Sequence, residues 1–242
     1  MRIAVVSDIH GNRTAFKAVL ADLRETSPDL ILHGGDLADG GSSPAQVVDR
    51  IRDLGWQGVA GNADELLWRP EALAEFAVQS PGVRPLLGTI GDIAAASRAA
   101  LGEERIAWLR ELPGSQTCGP LTLVHASPGD LWRAPAPEAA DAELESTYGS
   151  FGAQIVVYGH IHRPFVRHLP GLTICNSGSV SLSYDGDARA SYLLIDDSRP
   201  ALRRVEYDVD REIAALRQNG IPHADWMTQM LVCGCFVLPN RP

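Results

Sequence analysis

The chain has 242 residues, of which 45% are hydrophobic and 21% are charged, and its formal net charge is −9. This balance is typical of globular proteins, and no apolar run is long enough to span a bilayer, so no membrane association is expected. The negative charge disfavours a nucleic-acid polymer as partner, because such binding depends on lysine and arginine contacts to phosphates. The chain enters a strand pattern directly, so no signal peptide is expected and a cytoplasmic location follows by default. The four cysteines are then expected to be free thiols.

The first part of the chain alternates predicted strands and helices. Residues 2–7 and 30–32 are short apolar runs typical of buried strands, and apolar residues recur at helical spacing over 14–23. A strand–helix–strand unit requires a crossover connection, so these two strands are expected to be parallel neighbours. A second helix is predicted over 44–54 and a third strand over 58–60. Each of the three strands is followed by glycine or by a side chain that can bind a metal ion.

Most of the other predicted strands lie in the second half of the chain. Two strands joined by a tight turn are predicted over 116–124, and another apolar strand over 154–158. Four further apolar or alternating runs lie between residues 166 and 209. These four runs are expected to form a mostly antiparallel set.

No shift in composition marks a domain boundary, so residues 1–242 are predicted to form one domain. Within it, residues 66–112 are expected to form helices that flank the site, either as a lid or only as packing. A closing helix and a tail are expected over 210–242. The tail is apolar enough to pack on the body of the protein or on a second subunit, which leaves a homo-oligomer open.

Residues with metal-binding side chains follow five of the predicted strands. Asp8 and His10 stand two residues apart after the first strand, and His160 and His162 have the same spacing after a later one. Residues i and i+2 of an extended chain point to the same side, so each pair can bind one ion, although either pair alone is a weak signal. The other candidates are Asp36, Asn62 and His125. In a chain with only seven histidines, this gathering at strand ends favours a metal site over chance.

These motifs resemble those of the calcineurin-like metallophosphoesterase family, which run D-x-H, G-D-x-x-D, G-N-H-[DE], H and G-H-x-H. The corresponding segments are Asp8-Ile9-His10, Gly35-Asp36-Leu37-Ala38-Asp39, Gly61-Asn62-Ala63-Asp64, His125 and Gly159-His160-Ile161-His162. The resemblance covers nearly the whole chain. It includes residues 176–180 and 185–192, which are similar to the family's bacterial members of this length.

The resemblance implies two metal sites that share one carboxylate. One ion would be bound by Asp8, His10, Asp36 and His162, and the other by Asp36, Asn62, His125 and His160. Two divalent ions bring four positive charges and the two carboxylates return two negative ones, so the surplus can stabilise a bridging hydroxide and an incoming phosphate. Mixed imidazole and carboxylate ligands favour manganese, iron or zinc over magnesium, and manganese is expected first.

The expected fold is a four-layer α/β/β/α sandwich of two mixed sheets, with helices outside and metal ions at the strand ends. The expected function is hydrolysis of a small phosphoester, either a phosphodiester or a phosphomonoester, by a hydroxide that bridges the ions. Asp36, Asn62 and His125 are expected to take part in catalysis. Asn62 and Asn12 are expected to contact the substrate, with capping of the following helix as the alternative for Asn12. Asp39 is expected either to orient a metal ligand or to end a turn.

One residue departs from the family pattern. The histidine that follows asparagine in G-N-H, which resembles a proton donor to the leaving group, is Ala63 here. His33, Asp64 and Glu65 are near in sequence as replacements, and each also has an ordinary explanation. The missing histidine disfavours a phosphoprotein phosphatase. The retromer scaffold subunit, a non-enzymatic relative, also lacks it, so a scaffold or regulatory protein is the alternative, and the complete set of seven ligands favours the enzyme.

Overall fold

The computed structural model describes residues 1–239 and contains ten strands in two five-stranded sheets. The strands are β1 (Arg2–Val6), β2 (Leu30–His33), β3 (Gln57–Gly58), β4 (Ser115–Cys118), β5 (Leu121–Val124), β6 (Ile155–Tyr158), β7 (Phe165–Leu169), β8 (Leu172–Asn176), β9 (Ala190–Asp196) and β10 (Arg199–Val205). The helices are α1 (Arg13–Thr26), α2 (Pro44–Leu54), α3 (Asn62–Trp68), α4 (Ala72–Gln79), α5 (Leu87–Arg110), α6 (Asp141–Tyr148), α7 (Val209–Gln218) and α8 (Ala224–Cys233). Short 3₁₀ turns cover Pro81–Leu86 and Gly149–Phe151.

Both sheets mix parallel and antiparallel pairs. The first has the order β10-β9-β1-β2-β3, in which β1, β2 and β3 are parallel, so the parallel pairing predicted from the strand–helix–strand pattern is confirmed. The second has the order β4-β5-β6-β8-β7, with β5, β6 and β8 parallel and with antiparallel strands at both edges. The strands predicted over 116–124 form the antiparallel pair of β4 and β5.

The alternation of side chains along β1 explains the layers. Ile3 and Val5 lie in an apolar cluster with Leu123 of the second sheet, whereas Ala4 lies in a separate cluster with Phe16 of α1. Successive strand residues point to opposite faces, so one face of the sheet packs on the other sheet and one on helices. Helix α6 covers the outer face of the second sheet in the same way. The predicted four-layer sandwich is confirmed.

Strand β3 is shorter than the run predicted over 58–60. The amide of Val59 still donates to the carbonyl of His33, but that of Ala60 donates to the carbonyl of Pro113. The chain therefore leaves the sheet after Gly58, because the segment before β4 takes over the next hydrogen bond.

The region 66–112 is helical, as the sequence predicts, and contains the end of α3, then α4 and α5. Gly102 has a φ of 73°, which interrupts the helical conformation inside α5. Whether these helices act as a lid stays a prediction, as does the single-domain organisation. Among residues 1–239, none of the helices combines the length and the apolar character required to cross a membrane.

The C-terminal part forms two helices where one was predicted. Helix α7 matches the predicted closing helix, and α8 lies in the stretch predicted as a tail. Met227 and Met230 of α8 are buried in a cluster with Leu216 of α7 and Leu182. This segment therefore packs on the body of its own chain. Residues 240–242 of the predicted tail lie outside the described residues, and a homo-oligomer stays a prediction.

The expectation of four free thiols is wrong for one pair. Cys233 and Cys235 form a disulfide, whereas Cys118 and Cys175 are free. Gly234 between them has a φ of 61° and ends α8, and the resulting turn places the two Cα atoms 5.3 Å apart, within the range that a disulfide spans.

His33, at the end of β2, is a fully buried side chain whose two ring nitrogens have no hydrogen-bond partner among residues 1–239. Burial disfavours the charged form and lowers the pKa of His33 to about 4. The unfolded chain, with an ordinary histidine pKa of about 6.5, therefore binds more protons than the folded chain between that pH and pH 4. Within this window, His33 makes the free energy of unfolding fall as the pH falls.

We predict that His33 removes about 3 kcal/mol from the free energy of unfolding between pH 7 and pH 4. In His33→Leu that loss should be absent, so the stability difference between variant and wild type should shift in favour of the variant by this amount. Urea denaturation at a series of pH values measures the shift. His168→Leu, which replaces an exposed histidine, is the control. Parallel pH profiles for wild type and His33→Leu would contradict the prediction.

Candidate metal centre

The seven predicted ligands follow strands that run in parallel within their sheets. Asp8 and His10 follow β1, Asp36 follows β2, Asn62 begins α3 after β3, His125 follows β5, and His160 and His162 follow β6. The carboxyl ends of such strands are where α/β sheets place their ligands. The sandwich thus brings together side chains that are as many as 154 positions apart in the sequence, from Asp8 to His162.

A first group consists of four buried residues, Asp8, His10, Asp36 and His162. Each offers one ligand atom, and these atoms all lie within 4.8 Å of one another. The Nε2 atoms of His10 and His162 are 3.2 Å apart, and His162 Nε2 is 3.1 Å from Asp8 Oδ1. Two nitrogens and carboxylate oxygens at this spacing form a set of donors suited to one cation.

A second group surrounds the side-chain oxygen of Asn62. Its Oδ1 lies 2.9 Å from His125 Nε2 and 2.8 Å from His160 Nδ1. His125 Nε2 is in turn 3.5 Å from Asp36 Oδ2. These four residues are the ones that the sequence assigned to the second ion.

Asp36 belongs to both groups through a single oxygen. Its Oδ2 is 3.7 Å from His10 Nε2 and 3.5 Å from His125 Nε2. Its other oxygen, Oδ1, accepts a hydrogen bond of 2.8 Å from the amide of Ala63. Because Oδ1 is occupied by the backbone, Oδ2 is the oxygen left to be shared between two ions.

The hydrogen bonds of three imidazoles decide which ring nitrogen carries the proton. His10, His125 and His162 each direct Nδ1 at a backbone carbonyl, 2.6–2.8 Å away. A carbonyl can only accept, so Nδ1 is protonated and a neutral ring presents a lone pair at Nε2. The lone pairs of His10 and His162 then face each other at 3.2 Å, which is unfavourable unless a cation or a proton lies between them. This donor set fits a divalent metal ion.

The ionisation of the site fits the same conclusion. Burial lowers the pKa of His10, and it lowers that of His160 to about 4, so both rings stay neutral. Burial alone would raise the pKa of Asp8, but the surrounding histidines together, His162 first, lower it, so the carboxyl is ionised. His125 behaves differently, because Asp36 raises its pKa against the effect of burial. A metal ion at His125 would therefore compete with a proton.

Backbone strain is concentrated at the predicted ligands. Among residues 1–239, nine residues other than glycine have a positive φ, and five of them are predicted ligands. These five are Asp8, His10, Asp36, His160 and His162, with φ between 48° and 65°. This conformation is uncommon for residues with a Cβ atom, and it clusters at functional sites where the surrounding structure enforces it.

Comparison with known proteins identifies the family. The family model of the calcineurin-like phosphoesterase superfamily domain matches residues 1–199. The chain belongs to this superfamily. A metallophosphoesterase from Sphaerobacter thermophilus is 26% identical, and its crystal structure superposes with a TM-score of 0.78 over 97% of this chain and 100% of that one.

Two curated relatives are also similar. An uncharacterised protein of Methanocaldococcus jannaschii is 29% identical over 96% of this chain and 98% of its own length. A protein of Synechococcus named "Probable cyclic nucleotide phosphodiesterase" is 26% identical over 69% of this chain and 71% of its own.

Asp64, the last residue of the superfamily's G-N-x-D segment, has a role that the sequence did not reveal. Its buried carboxylate accepts hydrogen bonds from the amides of Asp36 at 2.8 Å, Leu37 at 2.9 Å and Gly61 at 3.1 Å. The loops pack so closely that a Cβ on Gly61 would lie 2.0 Å from Asp36 Oδ1. Asp64 therefore fixes the loop that carries the shared ligand and is not placed to donate a proton.

Two serines that support Asp8 were also missed. Ser7 Oγ donates to Asp8 Oδ2 at 2.5 Å, and Ser179 Oγ donates to the Asp8 carbonyl at 2.8 Å. The sequence predicts that Ser177 to Ser179 turn close to the site, but not that Ser179 contacts Asp8.

The sequence left two roles open for each of Asn12 and Asp39: substrate contact or helix capping for Asn12, and orientation of a metal ligand or a turn for Asp39. Asn12 is fully buried, and its Oδ1 accepts from the amide of Ala15 at 2.9 Å, so it caps α1, while its contact with substrate stays a prediction. The carbonyl of Asp39 accepts from His10 Nδ1 and so orients a ligand. Burial raises the pKa of the Asp39 carboxyl to about 7.

A cavity of about 190 Å³ opens onto the ligand groups. Its remaining wall is largely apolar and includes Leu66, Trp132, Tyr184, Trp226, Met230 and Phe236. Its lining residues, all of them within the described chain, include no lysine or arginine. His33 and Glu65, considered as replacement proton donors, are not among the lining residues either, and Glu65 accepts hydrogen bonds from Arg69 and Trp132.

We predict that Asp36→Asn weakens metal binding at both groups. The amide loses the negative charge that the ions share, so affinity at each site should fall at least about tenfold, comparable to the effect of disturbing ligand supports. Metal content after dialysis, measured by inductively coupled plasma mass spectrometry, should drop for both ions. Asp53→Asn, which changes an exposed carboxylate, is the control. Unchanged occupancy in Asp36→Asn would contradict the assignment of Asp36 as the shared ligand.

Proposed function

We propose that this protein hydrolyses a small phosphodiester in a reaction that requires two divalent metal ions. The observation that carries the proposal is the position of Asp36 Oδ2 between the two ligand groups. A bound pair of divalent ions lowers the pKa of water and compensates negative charge on the phosphoryl oxygens. Similarity to the Sphaerobacter metallophosphoesterase and to the Synechococcus protein named "Probable cyclic nucleotide phosphodiesterase" supports the reaction class.

The side chains of this chain position the reaction and do not themselves react. Three imidazoles, those of His10, His125 and His162, are fixed by carbonyls at Nδ1. The Ala63 amide holds Asp36 Oδ1, so these four side chains are oriented before the ions bind. Asn62, Asp36 and His160 line the cavity and face the space for the phosphoryl group. The roles of Asp36, Asn62 and His125 in catalysis belong to this proposal, as does manganese as the preferred ion, with iron and zinc accepted by the same donors.

The charge of the site favours a diester over a monoester. Two divalent ions and the carboxylates of Asp8 and Asp36 leave a net charge of two, which a singly charged diester and one hydroxide neutralise. A monoester dianion brings one more negative charge, and no lysine or arginine among the cavity-lining residues compensates it. Asp39, also at the cavity, would add to the repulsion where it is ionised. A phosphoprotein phosphatase is disfavoured for the same reason.

We predict that the manganese-loaded protein hydrolyses bis(4-nitrophenyl) phosphate faster than 4-nitrophenyl phosphate. Release of 4-nitrophenolate, followed by absorbance, should be lost after chelation and return when manganese is added. Asp53→Asn serves as a control with full activity. No turnover of either ester by metal-loaded protein would contradict the proposal and favour the scaffold alternative.

The side chain at position 63 generates a separate prediction. Ala63 lines the cavity where the superfamily motif has its histidine, so the leaving group departs without a proton from this position. The rate should fall steeply when 4-nitrophenolate is replaced by the more basic phenolate. Ala63→His should reduce this penalty at least about tenfold, since a general acid contributes about 10²–10⁴ in rate.

Ala63→Gln is the matched control, because its side chain is of similar size but does not titrate. Rates with phenyl and 4-nitrophenyl diesters, measured for the three proteins, give the ratios. A wild-type rate independent of leaving-group basicity would show that another group donates the proton.

A further inference from the structure

A continuous row of aromatic rings leads from the metal centre to the outside of the cavity. Tyr184 stacks on the ligand His162 with 4.6 Å between ring centroids. Phe236 packs edge-on against Tyr184 at 5.6 Å, and Trp226 edge-on against Phe236 at 6.5 Å. All four residues line the same cavity. One wall of the site is therefore an aromatic, largely apolar surface that begins at the predicted ligand His162.

Two of these rings come from beyond the residues that the family model matches. The match to the family model ends at residue 199, whereas Trp226 lies in α8 and Phe236 follows this helix. The segment is held in place, because Trp226 Nε1 donates to the carbonyl of Val237 at 2.8 Å and the amide of Gly186 donates to the carbonyl of Gly234 at 2.9 Å. Part of the wall thus lies outside the segment that the family model matches.

Few charged side chains line the cavity. Apart from the ligands, the charged side chain among its described lining residues is that of Asp39. A second phosphate or another anionic substituent on the substrate would face apolar side chains without a counter-ion, at a high desolvation cost. A flat apolar group would instead replace water along the aromatic wall.

We infer that the substrate is a singly charged phosphodiester with an aromatic ester group, which packs against Tyr184, Trp226 and Phe236. This inference rests on the proposed phosphodiester hydrolysis and adds the class of substituent. The residues of the C-terminal segment then determine specificity without touching the reacting phosphorus. Phe236 is 45% exposed, so its replacement removes part of the wall while disturbing little of the core.

The affinity for compounds that cannot be hydrolysed tests this inference independently of catalytic turnover. Diphenylphosphinate and dimethylphosphinate are both singly charged and have no ester bond, so neither can be hydrolysed. Isothermal titration of the manganese-loaded protein should give at least about tenfold tighter binding for the diphenyl compound, as expected from the additional apolar surface that it buries. Phe236→Ala should reduce this preference severalfold, whereas Leu238→Ala, which changes an exposed residue outside the cavity lining, should leave it intact.

Kinetics provides the second readout. Phenyl 4-nitrophenyl phosphate and methyl 4-nitrophenyl phosphate release the same leaving group, so their ratio of kcat/KM reports on the other substituent. The phenyl ester should be favoured at least about tenfold, and less so in Phe236→Ala. Equal affinities for the two phosphinates, with turnover of both esters, would overturn the inference and leave the proposed hydrolysis standing. A preference for diphenylphosphinate without turnover of any ester would overturn the proposed hydrolysis.

Discussion

Lone pairs of neutral imidazoles and charged carboxylate oxygens repel one another inside a protein unless a cation lies between them. Around Asp36, the structure brings such donors together in two groups. It fixes three imidazoles from behind through Nδ1 and Asp36 through a backbone amide. The left-handed conformation of five ligands adds to the cost of the arrangement. A site built against these forces is explained by the binding of metal ions, which supply the missing attraction.

The two sheets contribute different types of side chain to this site. The loops after β1 and β2 in the first sheet supply the carboxylates, Asp8 and Asp36, and the second sheet supplies His125, His160 and His162. The apolar layer between the sheets must therefore be packed before either ligand group is complete. Asp64 then locks the loop after β2 to the loop after β3 through three amide hydrogen bonds. Sheet packing and metal binding should stabilise each other for this reason.

The gathering of the seven predicted ligands was predictable because each of them follows a recognisable strand and stands in a motif with fixed spacing. The parallel pairing of β1 and β2 was predictable for the same local reason. Other features depend on residues that meet only in the folded chain. The end of β3 is set by Pro113, the carboxylate of Asp64 reaches amides 27 positions away, and α8 reaches the cavity from the far end of the sequence. The Cys233–Cys235 pair depends on the turn at Gly234, which spacing alone did not reveal.

The proposed sharing of Asp36 Oδ2 by two cations can be tested by anomalous diffraction from crystals of the manganese-loaded protein. We expect two anomalous peaks per chain, one beside His10 and His162 and one beside Asn62, His125 and His160, with Asp36 Oδ2 coordinated to both. A single peak, or two peaks of which only one contacts Asp36, would contradict it.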